Sequence, residues 1–260
     1  MKKLALKKIS LIIALLFIAT VLTSLFVVTA SAATGNTTEF AGGTGTADDP
    51  YLIETKYQLD NVRKNLSANY KLIGNIIFDS EDFTENGDFY NDGCGWQPIG
   101  QKNEPFNGIF DGNGYFVQNL HINAVTLDRG NTYAGLFGMV YGSIKRVGVI
   151  NANINVQVLR NSQASSEWCT TYAGGIAGYI GLFSKIEECY FGGKIDLIKQ
   201  SYNSSVALGG IVGSSSGNVE NCYNFGMIRS YSDGSVGGIV GSNSNKISNC
   251  YNIGSVVGSP

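Results

Sequence analysis

Histidine is nearly missing from this chain: His121 is the only one in 260 residues. Proline is scarce at 4, tryptophan stands at 2, and charged residues make up only 15%. No site that needs two imidazoles can be built. Few prolines and little charge beside 34 glycines argue against a helical bundle and for short strands joined by tight turns. Beyond Lys8 there is no run of basic residues, and without clustered Lys/Arg neither nucleic acid nor anionic lipid is an expected partner.

What basic density exists lies at the start. Lys2, Lys3, Lys7 and Lys8 precede an almost wholly apolar stretch, Leu11 to Val28, and Ala30-Ser31-Ala32 closes it with small residues. Residues 1–33 therefore read as a secretory signal peptide, the alternative being an uncleaved anchor. Cleavage removes four lysines and no acid, moving the net charge from −2 to −6. The expected location is secreted or cell-surface, with no membrane span once the leader is gone. The rest is long enough for one elongated domain with a core.

The last third repeats itself. Gly174-Gly175-Ile176-Ala177-Gly178 leads to Ile186-Glu187-Glu188-Cys189-Tyr190; Gly209-Gly210-Ile211-Val212-Gly213 leads to Val219-Glu220-Asn221-Cys222-Tyr223-Asn224; Gly237-Gly238-Ile239-Val240-Gly241 leads to Ile247-Ser248-Asn249-Cys250-Tyr251-Asn252. A weaker copy carries Gly135-Leu136-Phe137-Gly138. The anchors Gly138, Gly178, Gly213 and Gly241 are 40, 35 and 28 residues apart, a period that marks stacked repeats. Glycine at those corners suits short coils that leave no room for a Cβ. Insertions at 123–133, 159–171 and 199–207 read as loops leaving the stack. Ahead of the repeats, Thr55 and Gln58 form a capping box for a short helix at 56–66, expected to cover the open end of the stack. The organisation is thus a signal peptide (1–33), a strand and capping helix (34–70), first coils with an acidic loop (71–133), and repeats (134–258).

The repeat units resemble the GLUG motif of bacterial surface proteins, a motif also found in the N-terminal region of immunoglobulin A-cleaving metallopeptidases. Phe40-Ala-Gly-Gly-Thr-Gly-Thr-Ala-Asp-Asp-Pro-Tyr51, Trp96-Gln-Pro-Ile-Gly100 and Phe106-Asn-Gly-Ile-Phe-Asp-Gly-Asn-Gly-Tyr115 are similar to the segments that introduce such repeats. The resemblance covers most of 40–258. It implies an all-β fold, a right-handed parallel β-helix (solenoid), and it implies little about function because the motif recurs on exported proteins with differing partners. The peptidases work through His-Glu-x-x-His, and one histidine cannot supply it; His121, in Leu120-His121-Ile122, reads as an outward strand residue.

Among the five cysteines, an odd number, Cys189, Cys222 and Cys250 hold one repeat slot and are expected to stack as an interior thiol ladder. Cys94 and Cys169 lie outside it. Asn221/Asn249 and Asn224/Asn252 recur in the same way and suit side-chain amide ladders. A glycan-cleaving rival needs two carboxylates across a scissile bond; its candidates are Asp111, Asp128, Glu187, Glu188, Asp196, Glu220 and Asp233, with Glu187 and Glu220 in equivalent slots. Asp79, Asp82, Asp88 and Asp92 make an oxygen-rich loop that nominates calcium, although the spacing matches no calcium loop, the EF-hand included. No other cofactor is indicated. Tyr133, Trp168, Tyr172, Tyr179, Tyr202 and Tyr231 are expected to be exposed aromatics able to anchor a partner. The reading is a surface binding, adhesion or display module without catalysis, whose partner is an extracellular protein or glycan; the surface residues nominated for contact are Glu187, Glu220, Trp168 and Tyr172. The chain stops just after a complete repeat, so a longer chain or end-to-end association of copies is expected to cover the last edge.

Overall fold

The computed structural model describes residues 39–127, 131–159, 169–199, 204–231 and 233–258. Residues 1–33, read from the sequence as a signal peptide, and Trp168, Tyr202 and Asp128 lie outside them.

The described body is all-β. One sheet takes a short strand from each successive repeat: Tyr51–Ile53, Tyr70–Leu72, Ile109–Asp111, Ser143–Lys145, Lys185–Glu187, Asn218–Glu220 and Ile247–Ser248. A second runs through Ile76–Ile77, Phe116–Gln118, Gly148–Leu159, Tyr190–Lys199, Tyr223–Asn224 and Tyr251–Asn252. Two four-stranded sheets complete the last four rungs, one through Asn131–Ala134, Cys169–Gly174, Ser204–Gly209 and Ser235–Gly237, the other through Phe137–Val140, Ala177–Ile180, Val212–Ser215 and Val240–Asn243. Strands pair in parallel with the equivalent strand of the next repeat. The register sets like on like: Ile144, Ile186, Val219 and Ile247 form one column, and Tyr190, Tyr223 and Tyr251 another. Ile144, Ile186 and Val219 are fully buried, as a two-residue period requires of the inward face.

The turn between the first two sheets repeats too. Arg146, Glu188, Asn221 and Asn249 take φ of 54°, 53°, 54° and 53°, and the next residue (Val147, Cys189, Cys222, Cys250) points inward. The Arg146, Glu188 and Asn221 amides donate to Glu187, Glu220 and Ser248 carbonyls one repeat on, at 2.9, 3.1 and 3.0 Å. A left-handed residue in a tight corner leaves its amide pointing along the stack, where the next rung satisfies it.

Two expectations need correction. The segments read as loops at 123–133, 159–171 and 199–207 are strand at their described residues, 123–127, 131–133, 159, 169–171, 199 and 204–207, while 128–130, 160–168 and 200–203 lie outside the described residues: Gly148–Leu159 pairs with His121–Leu127, and Cys169–Gly174 with both Asn131–Ala134 and Ser204–Gly209. Alternation explains it, since Ala124, Thr126, Cys169 and Thr171 are buried while Asn123, Val125, Thr170 and Tyr172 are not. The helix is also shorter. Lys56–Asn61 is α-helical, with the Thr55/Gln58 box made, and Val62–Lys64 tightens into a 3-10 turn. Asn65 then leaves helical backbone, and its carbonyl accepts from the Tyr70 hydroxyl at 2.7 Å. Leu59 and Val62 are buried on the core.

Candidate binding surface

The three repeat cysteines sit at the inward corner positions. Each thiol lies 3.1–3.2 Å from the carbonyl two residues before it, and the Cys189 and Cys222 amides donate to the next sulfur along the stack at 3.4 Å. Hydrogen bonding within the column, followed by burial, pushes the Cys222 and Cys250 thiols well above the ordinary cysteine range. They are protonated at neutral pH and poor nucleophiles. Among the described residues every cysteine is free, and only Cys94 is exposed. Alkylation of the native chain should therefore modify Cys94 at once and Cys189 and Cys222 only on unfolding. Cys222→Ser is expected to cost about 1 kcal/mol without metal loss, read from thermal melts and metal content; rapid native labelling of Cys222 would contradict the packing.

The paired acids meet partners, not each other. Glu187 and Glu220 stand in register, with the Lys185 ammonium between them at 3.0 and 3.1 Å and Lys246 3.7 Å from Glu220. The Lys185 hydrogen bond holds Glu220 below its ordinary carboxylate range. Asp196 accepts both Arg229 nitrogens at 2.9 Å and also pairs with Lys194. Asp111 is held by Arg146 from two nitrogens. For both aspartates burial pushes the pKa up, yet the basic partners outweigh it and leave each below the ordinary value. A general acid at neutral pH needs the opposite shift.

Linkage follows from those directions. A carboxyl whose folded pKa is depressed contributes stability that is full above its unfolded pKa and lost as pH falls through the folded one. Resistance to urea should be level from about pH 7 to 5 and decline below about pH 4. Asp196→Asn should be less stable at pH 6 and show a shallower acid decline, measured as unfolding midpoints at pH 3 and 6.

The oxygen-rich loop docks the helix. Lys56 bonds Asp82 at 2.5 and 2.7 Å and Asp79 at 3.3 Å, Asp79 and Asp82 cap the local 3-10 turn, and Tyr57 donates to Asp88 at 2.7 Å. Among the described residues no three His, Cys, Asp or Glu side chains gather as metal ligands.

The aromatics spend their faces on one another. Tyr190, Tyr223 and Tyr251 stack at 5.1 and 5.2 Å with planes within 10°, so the column shows solvent its edges. Tyr133 was expected to be exposed and is buried, because Tyr172 stacks on it at 5.6 Å and Tyr179 closes from the side. Tyr172 and Tyr179 are half-buried, and Tyr231 is exposed beside Arg229.

A site the sequence reading missed lies at the far corner of the second sheet. Asn119 and Asn151 turn the chain there with φ of 63° and 49°, and Asn151 donates to Asn119 at 2.7 Å. One strand step on, His121 lies beside Asn153 in register, its Nδ1 3.5 Å from Asn153 Nδ2 and its Nε2 3.1 Å from Asn123 Nδ2. The imidazole packs 5.7 Å from the Phe83 ring. Burial lowers its pKa, so it is neutral at pH 7. Among the described residues, Asn153 Oδ1 is closed to solvent and has no hydrogen-bond partner. These side chains line an open cleft of about 600 Å³, and Asn151 joins it to a second furrow of about 430 Å³ running over Gly192, Gly193, Phe225 and Gly226. The signal was present: Asn119-x-His-x-Asn123 recurs as Asn151-x-Asn-x-Asn155.

Fold and surface together define an all-β repeat protein whose parallel strands run from repeat to repeat. No protein-family profile matches the chain. Over 148 residues it is 36% identical to a candidate Gly-rich membrane protein of Evansella cellulosilytica, a stretch that is 54% of this chain and 16% of that protein. Over 131 residues it is 33% identical to halomucin of Haloquadratum walsbyi, 46% of this chain and 1% of that protein. The chain thus spans a small part of either relative. A solved structure, a candidate immunoglobulin A1 protease from Bacteroides ovatus, aligns over 85% of this chain and 86% of its own with a TM-score of 0.44 and 19% identity. Among the described residues no helix is long and apolar enough to cross a membrane.

Proposed function

We propose that this chain is a secreted or surface-displayed GLUG-like repeat module, coiled as a right-handed parallel β-helix, whose role is binding or display and not catalysis. The observation that carries the reading is the pairing of Glu187, Glu220, Asp196 and Asp111 with lysine or arginine on the same or the neighbouring repeat, which leaves each of these carboxylates occupied by a basic partner. Handedness is supported by the rule that parallel crossovers within a sheet are right-handed in about 98% of cases. Surface display is supported by the signal-like start of the sequence and by relatives named as a Gly-rich membrane protein and a halomucin. The partner class is an extracellular protein or a glycan. Immobilised matrix proteins and glycans, probed with the full chain, test this: saturable binding to one class supports the module, and no binding to any surface ligand removes it.

A further inference from the structure

We propose that the corner cleft built by Asn119, Asn151, Asn153, His121 and Phe83 is a binding site for a neutral oligosaccharide lying along the stack. The proposal rests on the binding-module reading and names its ligand class and place.

The donor and acceptor set is neutral and dense. Asn153 Oδ1 has no donor, and a buried amide oxygen left unpaired is costly, a cost a structure retains where something else supplies the bond. The terminal torsion of asparagine is soft, so the amide turns readily to meet a hydroxyl in the cleft. Neutral His121 has one donor and one acceptor nitrogen; Asn123 Nδ2 holds Nε2 at 3.1 Å, and turning of the Asn153 amide away from its long 3.5 Å contact frees Nδ1 for a hydroxyl. Phe83 supplies an apolar patch against which the C–H face of a sugar ring packs.

Charge narrows the class. Asp79 and Glu81 stand on the rim, Lys56 is shared between Asp79 and Asp82, and Lys194 beside the furrow is paired with Asp196, so uronates and sulfated sugars meet net negative charge with no free cation to receive them. Peptide is disfavoured for another reason. Strand addition needs free backbone N–H and C=O groups along an edge; Gly148–Leu159 is paired on both sides, with His121–Leu127 and with Tyr190–Lys199, and on the outer side of His121–Leu127 the His121 carbonyl and Asn123 amide beside the cleft are taken by Trp96 and Cys94, each at 2.8 Å. Length fits a polymer: the cleft and furrow together follow the repeats from Asn119 to Gly254, four steps of about 4.8 Å each. Glycine floors the furrow because a Cβ on Gly192 would strike the Phe225 ring at 2.0 Å, and that ring walls the path.

Because His121 is the only histidine, its ring signals in a proton–nitrogen spectrum of the full chain need no assignment. Titration with neutral oligosaccharides of four to six sugars (gluco-, xylo- and manno-series) is expected to shift those signals saturably, and uronate or sulfated oligomers are not. Asn151→Gly, which keeps the left-handed turn, and His121→Gln should each weaken binding at least about tenfold with the melting temperature nearly unchanged, while Glu220→Gln on the first sheet binds as the native chain does. Neutral sugar that binds without moving the His121 signals overturns the cleft and leaves the module reading intact. Anionic oligomers that bind as well as neutral ones overturn the ligand class. Matrix protein bound with no oligosaccharide bound also overturns the cleft alone. If neither protein nor sugar binds, both readings fall.

Discussion

Gly213→Ala is expected to cost about 3 kcal/mol, at the upper end for overpacking, and to lower the melting temperature by about 6–12 °C. A Cβ built there lies 2.5 Å from the Ala173 amide nitrogen, 2.6 Å from the Gly178 carbonyl oxygen and 2.9 Å from the Tyr172 carbonyl carbon. All three atoms are backbone of the preceding repeat, so no side chain can swing aside, and the rungs must part. Parting them stretches hydrogen bonds of the sheet through Ala177–Ile180 and Val212–Ser215, where Ala177 pairs with Val212. Gly74→Ala is the control, because nothing lies within 4 Å of its Cβ. It should be neutral or stabilising by up to about 1 kcal/mol. Equal losses at the two positions would show that the close approach of rungs does not hold in solution.

Trp96→Ala should be as damaging or worse, at about 3–5 kcal/mol. The indole is 1% exposed, with Phe78 and Phe89 rings 5.6 and 6.0 Å away and the Arg63 guanidinium 5.0 Å over its face. Its Nε1–H donates to the Leu136 carbonyl at 3.1 Å, tying the acidic-loop region to the first rung of the repeats. Removal opens a cavity walled by aromatic rings that cannot collapse without undoing each other. The Leu136 carbonyl still receives the Ile99 amide at 3.1 Å, so most of the loss is packing. Chemical denaturation separates the cases: Trp96→Phe should recover a large part of the stability, whereas failure of phenylalanine to recover any would place the weight on the hydrogen bond.

Much of the frame was legible because identical residues recur. Cysteine, tyrosine and asparagine recur at matching offsets, and the strand register sets Tyr223 on Tyr251 and Asn224 on Asn252. Asn224 even donates to Asn252 at 2.6 Å, an amide ladder inside the stack. The Thr55/Gln58 capping box was legible for another reason, since both partners lie within four residues. Ion pairs were opaque. Lys185 reaches Glu220 and Arg229 reaches Asp196 across about one full repeat, and the repeat length itself varies, so no fixed offset reveals them. The stretches taken as loops hid strands because their alternation is carried by valine and alanine between polar residues, without the glycine punctuation of the main repeats. The cleft was hidden by the same irregularity: its asparagines belong to the weaker upstream copy, where Gly-Gly-Ile-Val-Gly does not announce the corner.

The central claim, binding without chemistry, is tested most directly by the fate of the bound ligand. The full chain would be saturated with each glycan that it retains, held for a day at neutral pH, and the glycan recovered and weighed by mass spectrometry. Every ligand is expected back at its original mass, from the native chain and from Glu220→Gln alike. Shortened or unsaturated fragments from the native chain, absent with Glu220→Gln, would contradict the claim and make the carboxylates of the first sheet an active site.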